Sequence, residues 1–251
     1  MATMNNMTTL IIGASGATGK KLVEQLVDKG QKVRAIVRSP EKLPAPWKNN
    51  EQIIIIKDNI SEISKEKMAE YIKDCHAVAS CLGHNLTRKG IYGKPRKLVT
   101  DAVRLLCDGI VINLPERTIK LVLMNTAGNS NRDLNEAIPL GQRLIIGLLR
   151  LLLPPHTDNE NAADHLRVNI GQNNQSIEWV VVRPDSLINE SSVSPYKLFP
   201  SPVRSALFNP GKTSRINVGH FMAQLITDNG LWHEWKGQMP VIYNTEEKKV
   251  K

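Results

Sequence analysis

The sequence has few of the features that mark secreted, metal-binding or membrane-spanning proteins. Its three cysteines, Cys75, Cys81 and Cys107, are an odd number without metal-site spacing, which favours buried thiols in a reducing compartment. No apolar run approaches the roughly 20 residues needed to cross a bilayer. The stretch from Met1 to Met7 is polar and lacks the apolar core of a signal peptide. We therefore expect a cytoplasmic protein with no transmembrane segment and no bound metal.

Acidic residues are also outnumbered, with 24 against 33 basic ones and a net charge of +9. A basic balance attracts phosphate-rich partners, but no helix-turn-helix, zinc or aromatic-basic module accompanies it, so we expect no nucleic acid partner. The basic charge is better explained by an anionic cofactor than by a nucleic acid. The hydrophobic content of 41% is typical of a globular chain, and nothing marks a second domain. We expect one domain over residues 1–251, with residues 185–251 contributing a small substrate-side portion.

One glycine-rich stretch organises the chain, namely Gly13-Ala14-Ser15-Gly16-Ala17-Thr18-Gly19. It follows the apolar run Thr9–Ile12 and opens the helical pattern Lys20–Val27, which is the strand, loop and helix order of a phosphate-binding loop. Glycines allow a tight turn, and the first N–H groups of the helix can bind a pyrophosphate. The pattern predicts nucleotide binding by Gly13, Ser15, Gly16, Ala17, Thr18 and Gly19. Thr18 has an equal alternative, which is to cap the helix.

Strand and helix patterns alternate after this loop. This order predicts parallel βαβ units and a Rossmann-type α/β fold, a doubly wound parallel sheet between two helical layers. The continuous β-branched run Ile53–Ile56 predicts a strand buried on both faces, and Ser61 is a candidate N-cap for a helix ending at Ile72. The predicted strands are residues 9–12, 32–38, 53–56, 77–83, 119–124 and 176–183, and the predicted helices are residues 20–27, 61–72 and 97–112.

With these elements placed, residues 8–190 resemble the atypical short-chain dehydrogenase/reductases, in the NAD(P)H-binding branch that includes NmrA-like and flavin/biliverdin-reductase-like proteins. Residues 216–223 resemble, more weakly, the start of a late family helix. The resemblance implies the fold and the cofactor, and it identifies no substrate. The carrying residues are Gly13–Gly19, Val37–Leu43, Lys57-Asp58, Cys81-Leu82-Gly83 and Val182-Arg183-Pro184.

Two basic residues decide between NAD and NADP. An enzyme that prefers NAD usually has an acidic residue at the end of its second strand, where it binds the ribose hydroxyls. Here Arg38 holds that place, with Lys42 one turn further on, and a guanidinium can chelate a 2′-phosphate. We expect NADP, as NADPH, to be the cofactor.

The resemblance implies further cofactor contacts. Asp58 matches the family residue beside the adenine amino group, although an ordinary turn or cap aspartate remains an equal alternative. Leu82 and Gly83 match the turn beneath the cofactor ribose, and Arg183 has a structural role.

The catalytic pair of ordinary short-chain dehydrogenases is incomplete. Thr126 matches their serine or threonine after the fifth strand, but none of the four tyrosines, at positions 71, 92, 196 and 243, begins Tyr-x-x-x-Lys. His156 and Glu160 stand near the expected place with the same spacing, so His156 is a candidate proton donor, with helix capping as the alternative. His84 and Asn85 are further candidates on the nicotinamide side.

The stretch Leu144–Leu153 is apolar nearly all round and contains Arg150. Three interpretations remain open: a buried helix, a wall of an apolar substrate pocket, and a subunit interface in a homo-oligomer.

The missing tyrosine favours acceptors that take hydride directly, because the cofactor supplies the redox chemistry and the protein positions the partners. Our first hypothesis is an NADPH-dependent reductase of a planar or apolar acceptor such as a flavin, a quinone or a bilin. The second is a non-catalytic NADP-binding redox sensor of NmrA-like type that acts on a regulatory partner. The third, a sugar-nucleotide epimerase or dehydratase, suffers most from the lost tyrosine.

Overall fold

A computed structural model describes residues 7–84, 93–134 and 153–245, together with residues 136, 141, 145 and 147. The strands are β1 Thr8–Ile12, β2 Lys32–Val37, β3 Ile53–Lys57, β4 Cys75–Ser80, β5 Ile119–Met124, β6 Ile177–Pro184, β7 Ser186–Ile188, β8 Tyr196–Phe199, β9 Lys212–Ser214 and β10 Val241–Asn244. The helices are α1 Ala17–Asp28, α2 Ala45–Lys48, α3 Lys65–Ile72, α4 Leu98–Ile112, α5 Pro154–Asp164, α6 Arg215–Thr227 and α7 Asn229–Trp235.

The central sheet has the strand order β3-β2-β1-β4-β5-β6-β10-β8. Its first six strands have the order of a dinucleotide-binding Rossmann sheet, and the predicted fold class is confirmed. Neighbouring strands are parallel as far as β10, and β8 then pairs antiparallel with β10. The sheet is therefore mostly parallel, with one antiparallel edge that the sequence analysis did not foresee.

Helices cover both faces of the sheet, as the apolar patterns predict. On one face, Leu22 and Leu26 of α1 pack with Phe221 and Met222 of α6. On the other face, α3, α4 and α5 bury their apolar stripes around residues such as Leu106. The three cysteines are free and buried, in agreement with the sequence analysis.

Two local predictions were wrong. Ile53–Ile56 belongs to the edge strand β3, so Ile53 is buried whereas Ile54 is 48% exposed. The helix predicted from Ser61 begins at Lys65, and the N-cap is Ser64, whose hydroxyl accepts from the Lys67 amide at 3.2 Å. The apolar run predicts a strand but does not show whether that strand has a neighbour on both sides in the sheet. The two serines each predict an N-cap, and the sequence does not show which of them is used.

The buried residue Arg183 joins the segments that follow the carboxyl ends of the strands. Its guanidinium donates to the carbonyls of Met239, Asn129 and Pro200 and to both carboxylate oxygens of Glu136. Arg183 therefore has the structural role that the sequence analysis gave it, and it brings the chain beyond β8 to the edge that also bears the glycine loop.

Candidate functional site

The glycine loop lies between β1 and α1 and is packed tightly against β4. Gly13 has a φ of +74°, and a Cβ at this position would lie 2.6 Å from the Cys81 carbonyl carbon. A Cβ at Gly19 would lie 2.2 Å from the Gly13 oxygen. Both positions therefore require glycine for the loop to form at all.

Gly16 differs from its two neighbours in the loop. It is the exposed N-cap of α1 with a φ of −71°, and a Cβ there would meet only the Gly13 oxygen, at 3.2 Å. The first turn of α1 contains no acidic residue. Its free N–H groups and the positive end of its dipole are therefore available to an anion.

A cleft of about 790 Å³ opens in front of this loop. It gathers residues from the ends of β1, β2, β3 and β4, the place where open α/β sheets bind ligands. Seven of the eleven predicted cofactor residues line it, and His84 does so as well. These seven are Gly13, Ser15, Gly16, Arg38, Asp58, Leu82 and Gly83.

The other four predicted cofactor residues lie outside the cleft lining. Ala17 is exposed at the start of α1, while Thr18 and Gly19 are buried within its first turn. Lys42 is exposed in the turn after β2. Their predicted nucleotide contacts stay predictions. No side-chain hydrogen bond caps α1, so the structure does not give Thr18 the alternative capping role.

The two ends of the predicted adenosine site carry opposite charges. Arg38 is exposed just after β2, and no carboxylate occupies its position. Asp58 follows β3, where its carboxylate accepts from the Tyr71 hydroxyl at 2.9 Å and from the Asn59 amide at 2.7 Å. Burial, together with this bond to Asp58, raises the pKa of Tyr71. Tyr71 is thereby fixed as a neutral donor that orients Asp58.

His84 lies at the opposite end of the cleft, paired with a buried carboxylate. Its Nε2 is 2.7 Å from Asp158 Oδ2, and the two side chains are 5% and 1% exposed. The same carboxylate accepts from the backbone amides of Val99 and Thr100 at the start of α4, at 2.8 and 3.0 Å. Asp158, on α5, thus fixes the segment that carries His84 and the start of α4 relative to α5.

No role was predicted for Asp158 from the sequence. Its partners are 58 to 74 residues away in the chain. The available signal was weak: an acidic residue two positions after His156, in a helix that begins with Pro154-Pro155.

Replacing Asp158 by alanine is expected to lower the free energy of unfolding by about 3 kcal/mol, because two helix amides and a buried histidine lose their acceptor. Urea unfolding followed by circular dichroism measures this change. Asp101→Ala is the matched control, since Asp101 lies exposed in the first turn of α4, the helix whose amides donate to Asp158. An equal loss in both variants would contradict the role given to Asp158.

Thr126 and His156 meet around Gly128 on the predicted substrate side. A Cβ at Gly128 would lie 3.7 Å from Thr126 Oγ1 and 4.0 Å from His156 Cε1. His156 Nε2 makes no hydrogen bond within the described part of the chain, and the Glu160 carboxylate is 3.5 Å away. The structure therefore brings two of the three predicted catalytic residues together, and α5 links them to the third through Asp158.

Two sequence predictions cannot be placed. Asn85 lies outside the described residues, as does Leu144–Leu153 apart from Ile145, Gly147 and Leu153.

A second cleft, of about 850 Å³, lies at the amino ends of the strands. The C-terminal ends of α3, α4 and α6 approach it, and the Lys120 ammonium there bonds the carbonyls of Leu225 and Ile226. Helix C-termini disfavour a pyrophosphate. Despite its larger volume, this cleft suits a dinucleotide less well than the glycine-loop cleft.

None of the helices within the described ranges combines the length and apolar character needed to span a bilayer.

Comparison with known proteins agrees with this geometry. A family model described as NAD(P)H-binding matches residues 13–229. An uncharacterized chloroplastic protein of Arabidopsis thaliana is 37% identical over 71 residues, which are 28% of this chain and 25% of that protein. The match therefore spans only a quarter of this relative's length.

Solved structures share the fold at low identity. A short-chain dehydrogenase/reductase from Veillonella parvula, in complex with NADP, has a TM-score of 0.67 and 14% identity, covering 97% of this chain and 96% of the other. A protein described as a candidate NADH-flavin reductase from Streptococcus pneumoniae has a TM-score of 0.65 and 18% identity, covering 95% of this chain and all of the other. The resemblance stated from the sequence is confirmed at the level of the NAD(P)H-binding family and the Rossmann fold.

Proposed function

Because the chain belongs to the NAD(P)H-binding family, we propose that it is an NADPH-dependent reductase that passes hydride to a planar or apolar acceptor such as a flavin, a quinone or a bilin. The observation that carries this proposal is the composition of the cleft. It combines a glycine loop, an arginine after β2 and no Tyr-x-x-x-Lys pair.

The residues of the cleft fit a phosphorylated dinucleotide. The exposed Gly16 in the lining of the cleft and the first amides of α1 suit the pyrophosphate. Arg38 suits a 2′-phosphate, because a guanidinium binds it bidentately and a carboxylate would repel it. Asp58 suits the adenine amino group, and Leu82 and Gly83 suit the ribose. We therefore propose NADPH rather than NADH.

The bound cofactor supplies the hydride, and the chain supplies position and a proton. We propose that the Thr126 hydroxyl orients the acceptor. We propose that His156, with Glu160 beside its imidazole, donates a proton to it. Asp158 holds His84 at the cofactor cleft and so positions that end of the site. Residues 185–251 are proposed to complete the substrate side.

The three tyrosines in the described part of the chain, Tyr71, Tyr196 and Tyr243, support an acceptor that needs no phenol; Tyr92 lies outside the described residues. Tyr71 donates to Asp58, and Tyr196 lies 2.9 Å from both His220 Nδ1 and Gln224 Oε1. Burial raises the pKa of Tyr196 to about 12, far from that of a proton donor at neutral pH. The Tyr243 ring packs against Phe199. An alcohol or sugar substrate would more strongly need a tyrosine in the Tyr-x-x-x-Lys arrangement, which the sequence lacks.

Steady-state NADPH oxidation with FMN, a quinone or biliverdin tests the proposal. We expect turnover with at least one of them, and His156→Gln is expected to lower kcat about tenfold or more if the imidazole donates the proton. Thr126→Val, which keeps the side-chain volume, is expected to act mainly on KM. Asn161→Ala, an exposed change on the same helix, is the control and is expected to leave both constants unchanged.

A redox sensor is the second candidate, and the absence of the catalytic tyrosine favours it. In that case the protein binds NADPH and NADP⁺ with different affinities but turns over no acceptor. Different affinities are essential, because a ligand shifts a conformational equilibrium only by its differential affinity. Titration of both cofactor forms beside the turnover assay separates the two functions.

A further inference from the structure

A loop beyond β8 exposes an unusual amount of apolar surface. It lies at the edge of the sheet that carries Thr126 and His156, here called the substrate edge. Residues 199–212, here called the apolar loop, carry Val203 and Phe208, which are 59% and 61% exposed, and Leu207, which is 38% exposed. We propose that this loop docks the protein on the surface of an anionic phospholipid membrane.

The loop presents these side chains on an ordered turn. Ser205 Oγ accepts from the amides of Leu207 and Phe208 at 3.3 and 3.0 Å, and the Asn209 amide donates to the Ser205 carbonyl at 3.0 Å. Arg183 binds the Pro200 carbonyl at the start of the loop. Because the backbone is fixed in this way, the apolar side chains remain directed outward and do not collapse onto the core.

A neighbouring segment continues the apolar surface. The Phe208 ring lies 3.9 Å from the place of a Cβ at Gly141, and Ile145, four residues later in the sequence, is 37% exposed. Arg183 also binds the Asn129 carbonyl, three residues after Thr126. The apolar surface therefore lies on the same side of the sheet as Thr126 and His156.

Charge identifies an anionic lipid surface as the partner. Residues 191–227 contain no aspartate or glutamate and four basic residues, Lys197, Arg204, Lys212 and Arg215. Lys197 and Lys212 are exposed. Basic residues beside exposed apolar side chains are the signature of proteins that lie on membranes, where the apolar groups enter the interface and the cations bind lipid headgroups.

A second copy of the chain fits this surface less well. Each copy carries a net charge of +9, so pairing the two basic surfaces adds repulsion that an anionic bilayer would replace with attraction. Docking would bring the substrate edge to the membrane, in which planar apolar acceptors dissolve. That consequence rests on the proposed function, whereas docking itself does not.

Cosedimentation with vesicles tests the proposal. We expect the full chain to bind vesicles of phosphatidylglycerol and phosphatidylcholine, to bind pure phosphatidylcholine vesicles far less, and to be released by salt. The double substitution Val203→Ser, Phe208→Ser is expected to lower the partition coefficient by about tenfold or more, since two apolar anchors are lost. Both side chains are exposed, so folding should be retained.

The control removes apolar surface from the opposite edge. Val111 and Leu114, at the C-terminal end of α4, are 47% and 80% exposed, and Val111→Ser, Leu114→Ser should leave vesicle binding unchanged. Equal losses in both double variants, or no vesicle binding by the wild type, would overturn the proposal. A wild-type dimer in gel filtration, converted to a monomer by Val203→Ser, Phe208→Ser, would assign the surface to a second copy instead. NADPH binding by Val203→Ser, Phe208→Ser should equal that of the wild type, because neither residue lines the glycine-loop cleft. Vesicle binding needs no turnover, so this test stays separate from that of the proposed function.

Discussion

The substitution Arg38→Glu is expected to weaken NADPH binding about 100-fold, close to 3 kcal/mol, while NADH binding changes little. The arginine is exposed at the end of β2 and lines the cleft, so its removal should not disturb the core. The new carboxylate would repel the 2′-phosphate, which NADH lacks, and it could accept from the ribose hydroxyls that NADH presents. Isothermal titration with both cofactors measures the effect.

A charge reversal elsewhere on the same strand separates this local effect from the general field of the protein. Lys32 is exposed at the opposite end of β2, and Lys32→Glu makes the same change in net charge. We expect it to reduce NADPH affinity by less than about threefold, because salt screens exposed charges beyond roughly 10 Å. Equal losses in Arg38→Glu and Lys32→Glu, or no loss in either, would remove Arg38 from the site.

The substitution Gly16→Val is expected to reduce the affinity for both NADPH and NADH by about 100-fold or more. Gly16 lines the cleft, is exposed and has an ordinary negative φ, and a Cβ there would meet only the Gly13 oxygen, at 3.2 Å, so a side chain is expected to be accommodated at the surface of the cleft. There it would occupy the space proposed for the pyrophosphate and cover the amides of α1. At Gly13 and Gly19, by contrast, a Cβ would lie only 2.6 and 2.2 Å from backbone atoms, so substitution of either glycine is expected to unfold the loop.

Gly230→Val provides the matched control for this experiment. Gly230 is also exposed at the start of a helix, and a Cβ there would meet Asp228 Oδ1 at the same 3.2 Å. It lies on α7, near the amino ends of the strands. Thermal unfolding should show similar stability for the two variants, while only Gly16→Val loses dinucleotide binding. Normal binding by a folded Gly16→Val would disprove the role of the glycine loop.

The sequence predicted the parts of the fold that depend on residues close to one another in the chain. The glycine loop, the strands β1, β2 and β5 and the helix α4 each have a local pattern, and their order fixes the first six strands of the sheet. The antiparallel strand β8 was missed, because its four residues pair with β10 more than 40 residues later. Such short strands have no local signal strong enough to identify them.

The lining of the glycine-loop cleft was predictable to a similar degree. Arg38 and Asp58 line this cleft because each directly follows a predicted strand, and the ends of parallel strands converge on one cleft. Their contacts with a cofactor stay predictions. Lys42 was assigned to the same cleft by its spacing, yet the exposed turn after β2 leaves it outside the cleft lining. Asp158 was beyond reach, because its role depends on three partners that only the folded chain brings together.

Hydride transfer itself is the most direct test of the account. NADPH deuterated at the transferred position should be consumed more slowly than ordinary NADPH in a single turnover with FMN, a quinone or biliverdin, and Gly16→Val should show no turnover. That result would establish a reductase acting from the glycine-loop cleft. Tight, selective NADPH binding without turnover of any acceptor would contradict the proposed activity and favour a redox sensor.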